Sequence, residues 1–137
     1  MQLAKILLFI LIVLLLSTGL TSAEDQQAGQ PGIVTIKDNG KQITMGEGTV
    51  LEVRLEQVGG TGYLWQIADL DGEHLKVLQS SEIPPDRKGQ MVGGPLLKTW
   101  EIEAVKAGQT NLKILLYRPW EGPEKAAKSF QLRIQIN

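Results

Sequence analysis

The sequence contains no cysteine, only one histidine and almost no net charge. Without Cys in its 137 residues, the chain can form neither a disulfide nor a thiolate metal site, and it cannot carry the lipid of a lipoprotein. The formal net charge is -1, so the basic excess that attracts a protein to phosphate is missing. Nucleic acid is therefore not expected as a partner.

Catalytic chemistry is equally hard to find. His74 is the only histidine, and no serine stands in a nucleophile elbow that this imidazole could serve as a base. His74 could join Asp69, Asp71 and Glu73 around a metal, but their spacing lacks the order of a calcium loop, and a lone imidazole in such a turn is expected to be solvated. We expect no catalytic residues, no metal and no cofactor, and hence no enzyme.

The N-terminus has the pattern of a secretory signal peptide. Lys5 supplies a positive charge, residues 6–16 form an unbroken apolar run, and small residues precede Ala23. The run is shorter than the roughly 20 residues that span a bilayer, although an uncleaved anchor extending through Leu20 is the alternative. We expect cleavage of residues 1–23, a periplasmic or extracellular location and no stable membrane insertion thereafter. Residues 24–31 are expected to be flexible, and residues 32–137 to form one domain.

Alternation of apolar and polar residues predicts short β-strands throughout that domain. No convincing helical period occurs in the mature chain. Asn39-Gly40 supplies the positive φ angles of a tight turn, so the strands on either side of it are expected to form a hairpin. Trp65, in the middle of a strand, is expected in the core. Seven or eight strands in about 100 residues predict an all-β, immunoglobulin-like antiparallel β-sandwich. The predicted strands lie near residues 33–37, 41–45, 51–55, 63–67, 75–79, 100–104, 111–117 and 130–136.

Three segments between these strands depart from the pattern. Residues 58–62 contain three glycines, residues 84–97 form a long irregular span, and residues 118–128 begin with Arg118-Pro119-Trp120-Glu121. Proline cannot donate to a β-ladder, so the last segment must leave its sheet as a stiffened loop. A large aromatic in such a loop is typical of a contact residue, and the alternative is that Trp120 caps one end of the core. In an immunoglobulin-type sandwich, the first and last loops leave the same end.

These loops carry a family resemblance. The sequence resembles the chagasin family of cysteine-peptidase inhibitors from about Ile33 to the C-terminus, and three motifs in order carry the resemblance. The motifs are Thr61-Gly62-Tyr63-Leu64-Trp65, Gly93-Gly94 and Arg118-Pro119-Trp120-Glu121. One departure is that the family's first loop usually reads Asn-Pro-Thr-Thr-Gly, whereas this chain has Val58-Gly59-Gly60-Thr61-Gly62.

The resemblance implies a monomeric, reversible and non-covalent inhibitor that occludes the active-site cleft of papain-like cysteine peptidases with three loops. It implies that Thr61 and its glycines form a thin wedge and that Trp120 is the binding anchor. Arg118 could brace its own loop or pair with an acid on the peptidase. The alternative from a different class is an immunoglobulin-like adhesion or carbohydrate-binding module that uses Trp120 as a stacking platform. The implied peptidase-binding residues are Gly60, Thr61, Gly62, Gly93, Gly94, Arg118, Pro119, Trp120 and Glu121.

Overall fold

The computed structural model describes residues 32–84 and 95–137, and within them it is a sandwich of two four-stranded β-sheets. The expected signal segment, residues 24–31 and Gly93-Gly94 lie outside the described residues. No helix among the described residues is long and apolar enough to cross a membrane. The strands are β1 (Gly32–Thr35), β2 (Gln42–Met45), β3 (Val50–Gln57), β4 (Leu64–Leu70), β5 (Leu75–Ile83), β6 (Leu96–Ala104), β7 (Gly108–Tyr117) and β8 (Lys128–Ile136).

The two sheets have the orders β1-β3-β6-β5 and β2-β8-β7-β4. The prediction of an all-β, immunoglobulin-like sandwich of about seven or eight strands is confirmed, although the strand pairing is not antiparallel throughout. Neighbouring strands pair antiparallel except at two places, where β1 runs parallel to β3 and β2 runs parallel to β8. Both sheets are therefore mixed. Short 3-10 helices follow β1 at Ile36–Asp38 and precede β8 at Pro123–Lys125.

The predicted hairpin around Asn39-Gly40 is wrong, because β1 and β2 belong to different sheets. Asn39 has φ −54° and ψ 129°, and only Gly40 has a positive φ. With the Lys41 amide donating to the Asp38 carbonyl at 3.0 Å, this is the geometry of a type II turn, which does not match the twist of a two-residue hairpin. The turn instead docks on β8, where the Gly40 amide donates to the Gln131 carbonyl at 2.7 Å.

The core fills the space between the sheets with side chains from alternate strand positions. Leu55, Ile102, Ile114 and Phe130 are among the side chains that are completely buried. Burial of each such side chain contributes about 1.5–3 kcal/mol, which makes this layer the main source of stability. Trp65 is 3% exposed, so its expected place in the core is confirmed. The sandwich thus provides a rigid base for the loops at its ends.

Candidate functional site

The strand register brings the strand ends that border all three unusual segments to the same end of the sandwich. Gln57, at the end of β3, lies opposite Leu96, at the start of β6, and Ile83 at the end of β5 lies opposite Leu97. In the other sheet, Leu64 at the start of β4 lies opposite Tyr117 at the end of β7. The strand ends that border residues 58–63, 84–95 and 118–127 therefore form one end of the molecule, which we call the loop end.

The first loop is a compact turn built on two glycines. Gly60 and Gly62 have φ angles of 77° and 78°, in the left-handed region that only glycine adopts without strain. Between them, the Thr61 hydroxyl donates to the Val58 carbonyl at 3.0 Å and accepts from the Tyr63 amide at 3.3 Å. Thr61 is exposed. The loop therefore presents a narrow, mostly backbone surface around one small hydroxyl-bearing residue.

A buried glutamine fixes the base of this loop. Gln57 is 3% exposed, and its side-chain carbonyl accepts from the Trp65 amide at 2.8 Å. The Trp65 indole nitrogen in turn donates to the Glu56 carbonyl at 2.8 Å. These contacts join the end of β3 to the start of β4 where the chain crosses from one sheet to the other. Gln57 was missed as a site residue, although a Gln at the inward position after Leu51, Val53 and Leu55 was a visible signal.

The last loop leaves β7 and turns tightly at Arg118. The Glu121 amide donates to the Arg118 carbonyl at 2.9 Å, and the Gly122 amide donates to the same oxygen at 3.3 Å. Gly122 has φ 85°, and it precedes the short Pro123–Lys125 helix. Trp120 is 72% exposed on this turn, so the alternative in which it caps the core is wrong.

Arg118 connects the first and last loops. Its Nε donates to the Thr61 carbonyl at 3.0 Å, and its guanidinium lies 4.5 Å from the centre of the Tyr63 ring. The same guanidinium lies 6.0 Å from the Trp120 ring and is 3.8 Å from the Glu121 carboxylate. Of the two roles that sequence left open, these contacts favour the brace. Tyr63 was not predicted as a site residue, and its signal was only its place within the first motif.

The Trp120 ring also packs against the first loop, at Gly62. A Cβ atom on Gly62 would overlap the indole and lie 3.1 Å from its Cζ2 atom. The ring therefore covers the Gly62 backbone, while most of its remaining surface faces solvent. The predicted residues Gly60, Thr61, Gly62, Arg118, Trp120 and Glu121 thus come together at the loop end, with Pro119 between them in the chain.

The opposite end of the sandwich holds the only histidine. His74 Nδ1 lies 2.6 Å from Asp71 Oδ2, and Asp71, Glu73 and His74 could together offer three ligand atoms within 4.8 Å of one another. The expectation that the imidazole is solvated is wrong, because the His74 side chain is only 17% exposed. Glu73 already pairs with Lys106, and the Glu73 amide donates to Asp71 at 3.0 Å. Each of the three side chains thus has a partner within the protein.

Comparison with known proteins gives a family match over most of the described domain. The model for the "Chagasin family peptidase inhibitor I42" matches residues 44–134. Chagasin from Trypanosoma cruzi is 25% identical over 108 residues, covering 76% of this chain and 96% of chagasin. The crystal structure of the cysteine protease inhibitor EhICP2 from Entamoeba histolytica superposes with a TM-score of 0.71 at 23% identity, covering 77% of this chain and 95% of that one. PbICP-C, solved in complex with falcipain-2, superposes with a TM-score of 0.56 at 20% identity, covering 80% of this chain and 92% of that one.

Proposed function

The chain belongs to the chagasin family of peptidase inhibitors, and from this membership we propose that it inhibits papain-like cysteine peptidases reversibly and without a covalent bond. The family consists of inhibitors rather than enzymes. Among the solved relatives, one is a cysteine protease inhibitor and another is bound to falcipain-2, which supports a cysteine peptidase as the partner. In this proposal the loop end enters and blocks the active-site cleft.

The observation that carries the proposal is the coupling of two loops around an exposed tryptophan. Arg118 bonds to the Thr61 carbonyl, and the Trp120 ring covers Gly62 while remaining 72% exposed. A wedge and an anchor held together before binding lose little conformational entropy when they meet a partner. In this arrangement the turn at Thr61 enters the cleft, and Trp120 lies on the surface beside it. Gly93 and Gly94 are proposed to contact the opposite side.

Titration of papain with the purified domain tests this function directly. We expect stoichiometric loss of activity that dilution reverses. Trp120→Ala should raise the dissociation constant by about 30- to 1,000-fold, the ~2–4 kcal/mol of an anchor, mainly through faster dissociation. Because Trp120 is largely exposed, urea unfolding should change little and serves as the control. An unaltered inhibition constant in a folded Trp120→Ala protein would reject this site, and no inhibition by the wild type would reject the function.

We also propose that the inhibitor is exported and acts as a monomer outside the cytoplasm. Lys5, the apolar run at residues 6–16 and the small residues before Ala23 support removal of residues 1–23. The intact mass of the exported protein tests this point. A chain that begins at Glu24 is expected, and a mass that retains the first 23 residues would indicate a membrane anchor. The molecular mass measured by sedimentation of the same material tests whether the protein is a monomer, and the mass of a single chain is expected.

A further inference from the structure

Exposed apolar side chains concentrate at the loop end. Nine large hydrophobic residues are exposed among the described residues, and four of them, Val58, Leu64, Ile83 and Trp120, lie at this end. Leu64 begins β4 opposite Tyr117, and Ile83 ends β5 opposite Leu97. The sandwich thus carries apolar side chains on both sheets around the turn at Thr61. Single exposed hydrophobics are ordinary on a protein surface, but a group at one end marks an interaction surface.

Some of the charged groups described at the same end are paired within the protein. Residues 57–64 contain no acidic or basic side chain. The Lys98 ammonium lies 3.8 Å from the Glu82 carboxylate, and the Arg118 guanidinium lies 3.8 Å from that of Glu121. Arg118 also donates to the Thr61 carbonyl. The turn at Thr61 itself therefore offers a partner backbone and uncharged side chains, whereas charged residues such as Glu56 and Glu124 are exposed next to it in the chain or in the last loop.

This inference rests on the proposed function: we propose that Val58, Leu64 and Ile83 form, together with Trp120, an apolar contact surface around the wedge that determines which peptidases are inhibited. The partner that fits this surface is a papain-like peptidase whose cleft walls are apolar where these three side chains meet them. None of the three belongs to the glycine, threonine, arginine and tryptophan positions to which the family resemblance assigns binding. Val58 occupies the position where the family usually has the polar Asn, so this chain replaces a polar side chain at the wedge with an apolar one.

The position of each residue assigns it a part of the contact. Val58 is the first residue of the turn that forms the wedge, since its carbonyl accepts the hydrogen bond from the Thr61 hydroxyl. Leu64 points away from the core, because the next residue, Trp65, is buried and successive strand residues face opposite sides. Ile83 is the last residue of β5 before residues 84–95. The three residues thus surround the wedge from the first loop, from one sheet and from the other.

Replacement by threonine tests this surface with well-matched controls. Threonine is polar yet favours strands, so the variants Val58→Thr, Leu64→Thr and Ile83→Thr should fold. Each has a control variant of similar exposure away from the loop end. Ile33→Thr (52% exposed) matches Val58→Thr (59%), Val105→Thr (37%) matches Leu64→Thr (39%), and Ile36→Thr matches Ile83→Thr, both at 47%. We expect each loop-end variant to raise the inhibition constant for papain about tenfold, the effect of losing roughly 1.4 kcal/mol, and each control less than about twofold. Urea unfolding checks that all six variants are folded.

The outcomes separate this inference from the function on which it rests. Equal inhibition constants for the loop-end and control variants would overturn the apolar surface. If Trp120→Ala still weakens inhibition in that case, only this inference fails. If Trp120→Ala is also without effect, the proposed site at the loop end fails as well, and the proposed function itself fails if the wild type does not inhibit papain. As a test of specificity, the loop-end variants should lose less affinity for a papain variant that carries serine at apolar positions of its cleft wall, and an undiminished loss would contradict the assigned partner chemistry.

Discussion

The indole ring of Trp120 lies directly over the backbone of Gly62. A side chain at Gly62 would overlap the ring. Gly62 also has a φ of 78°, which residues with a side chain rarely adopt. The glycine is therefore required for two separate reasons, its backbone conformation and the space above it. Since the two residues belong to different loops, their contact couples the position of the anchor to the shape of the wedge.

Gly62→Ala should damage both stability and inhibition. Left-handed backbone costs an alanine about 1–2 kcal/mol, and the steric overlap of its Cβ with the Trp120 ring adds a further cost. Gly40→Ala is the matched control, because Gly40 has φ 80° but a Cβ atom added there would meet nothing within 4 Å. We expect urea unfolding to show a loss in both variants that is larger for Gly62→Ala, and only Gly62→Ala should weaken inhibition of papain. Identical behaviour of the two would show that the ring does not depend on Gly62.

Arg118→Lys separates the brace from a simple charge. Lysine keeps the positive charge but cannot reproduce the Nε bond to Thr61 together with planar stacking on Tyr63. A hydrogen bond from a charged group contributes about 1.5–3 kcal/mol, so the lysine variant should lose at least about tenfold in affinity. Arg133→Lys, on the outer face of β8, is the control. If Arg118→Lys inhibits normally while Arg118→Ala does not, the charge acts directly on the peptidase instead.

Local pattern was sufficient to predict the strands, whereas contacts between distant residues were not predictable. Alternation placed β3 correctly because Leu51, Val53 and Leu55 each face the core. The Asn39-Gly40 signal failed since its geometry depends on β8: the Asn39 side chain donates to the Ser129 carbonyl at 3.0 Å, 90 positions away. A turn dipeptide predicts a reversal of the chain but not the sheet to which the next strand belongs.

The candidate site shows the same division. Its composition was visible in the motifs, but the sequence left open whether Trp120 was exposed or capped the core, and the structure shows it 72% exposed. The bond between Arg118 and Thr61 joins residues 57 positions apart, and no local pattern reveals it. Tyr63 illustrates the limit, because the predicted strand at residues 63–67 included it, whereas it stands before β4 and stacks on Arg118. The peptidase-binding roles of these residues stay predictions.

Gly59→Pro should stabilise the first loop. Of the two central residues of the turn formed by residues 58–61, Gly60 has a positive φ and Gly59 does not, as a type II turn requires. Such turns favour proline at the second position, and a side chain at Gly59 would meet nothing within 4 Å. We expect unfolding to become harder by about 0.4–1 kcal/mol, with Gly59→Ala giving part of the gain. Weaker inhibition by a stabilised Gly59→Pro protein would show that binding needs a loop conformation which proline excludes.

Acid should destabilise the fold through Asp71. The Glu73 amide, and then the His74 ring, hold the pKa of this carboxyl below its ordinary value of 3.8. A group with a lower pKa in the folded state stabilises the fold fully above the unfolded pKa and loses that contribution as the pH falls through the folded pKa. Unfolding free energy should thus be steady near neutral pH and decline below about pH 4. The decline should be shallower in Asp71→Asn, and parallel curves for the two proteins would contradict this role.

Inhibition should not require the nucleophile of the peptidase. Thr61 lies between Gly60 at φ 77° and Gly62 at φ 78°, whereas a peptide that is cleaved must lie extended with its carbonyl presented to the attacking sulfur. The turn does not present the Thr61 carbonyl in this way. The carbonyl instead accepts a hydrogen bond from Arg118 Nε at 3.0 Å. Papain with its catalytic Cys replaced by Ala should therefore bind with an affinity within about threefold of the active enzyme's. Long incubation with active papain should leave the chain uncut, as measured by intact mass. A large loss of affinity, or stoichiometric cleavage at 58–62, 84–97 or 118–124, would instead indicate a trap that the peptidase processes as a substrate.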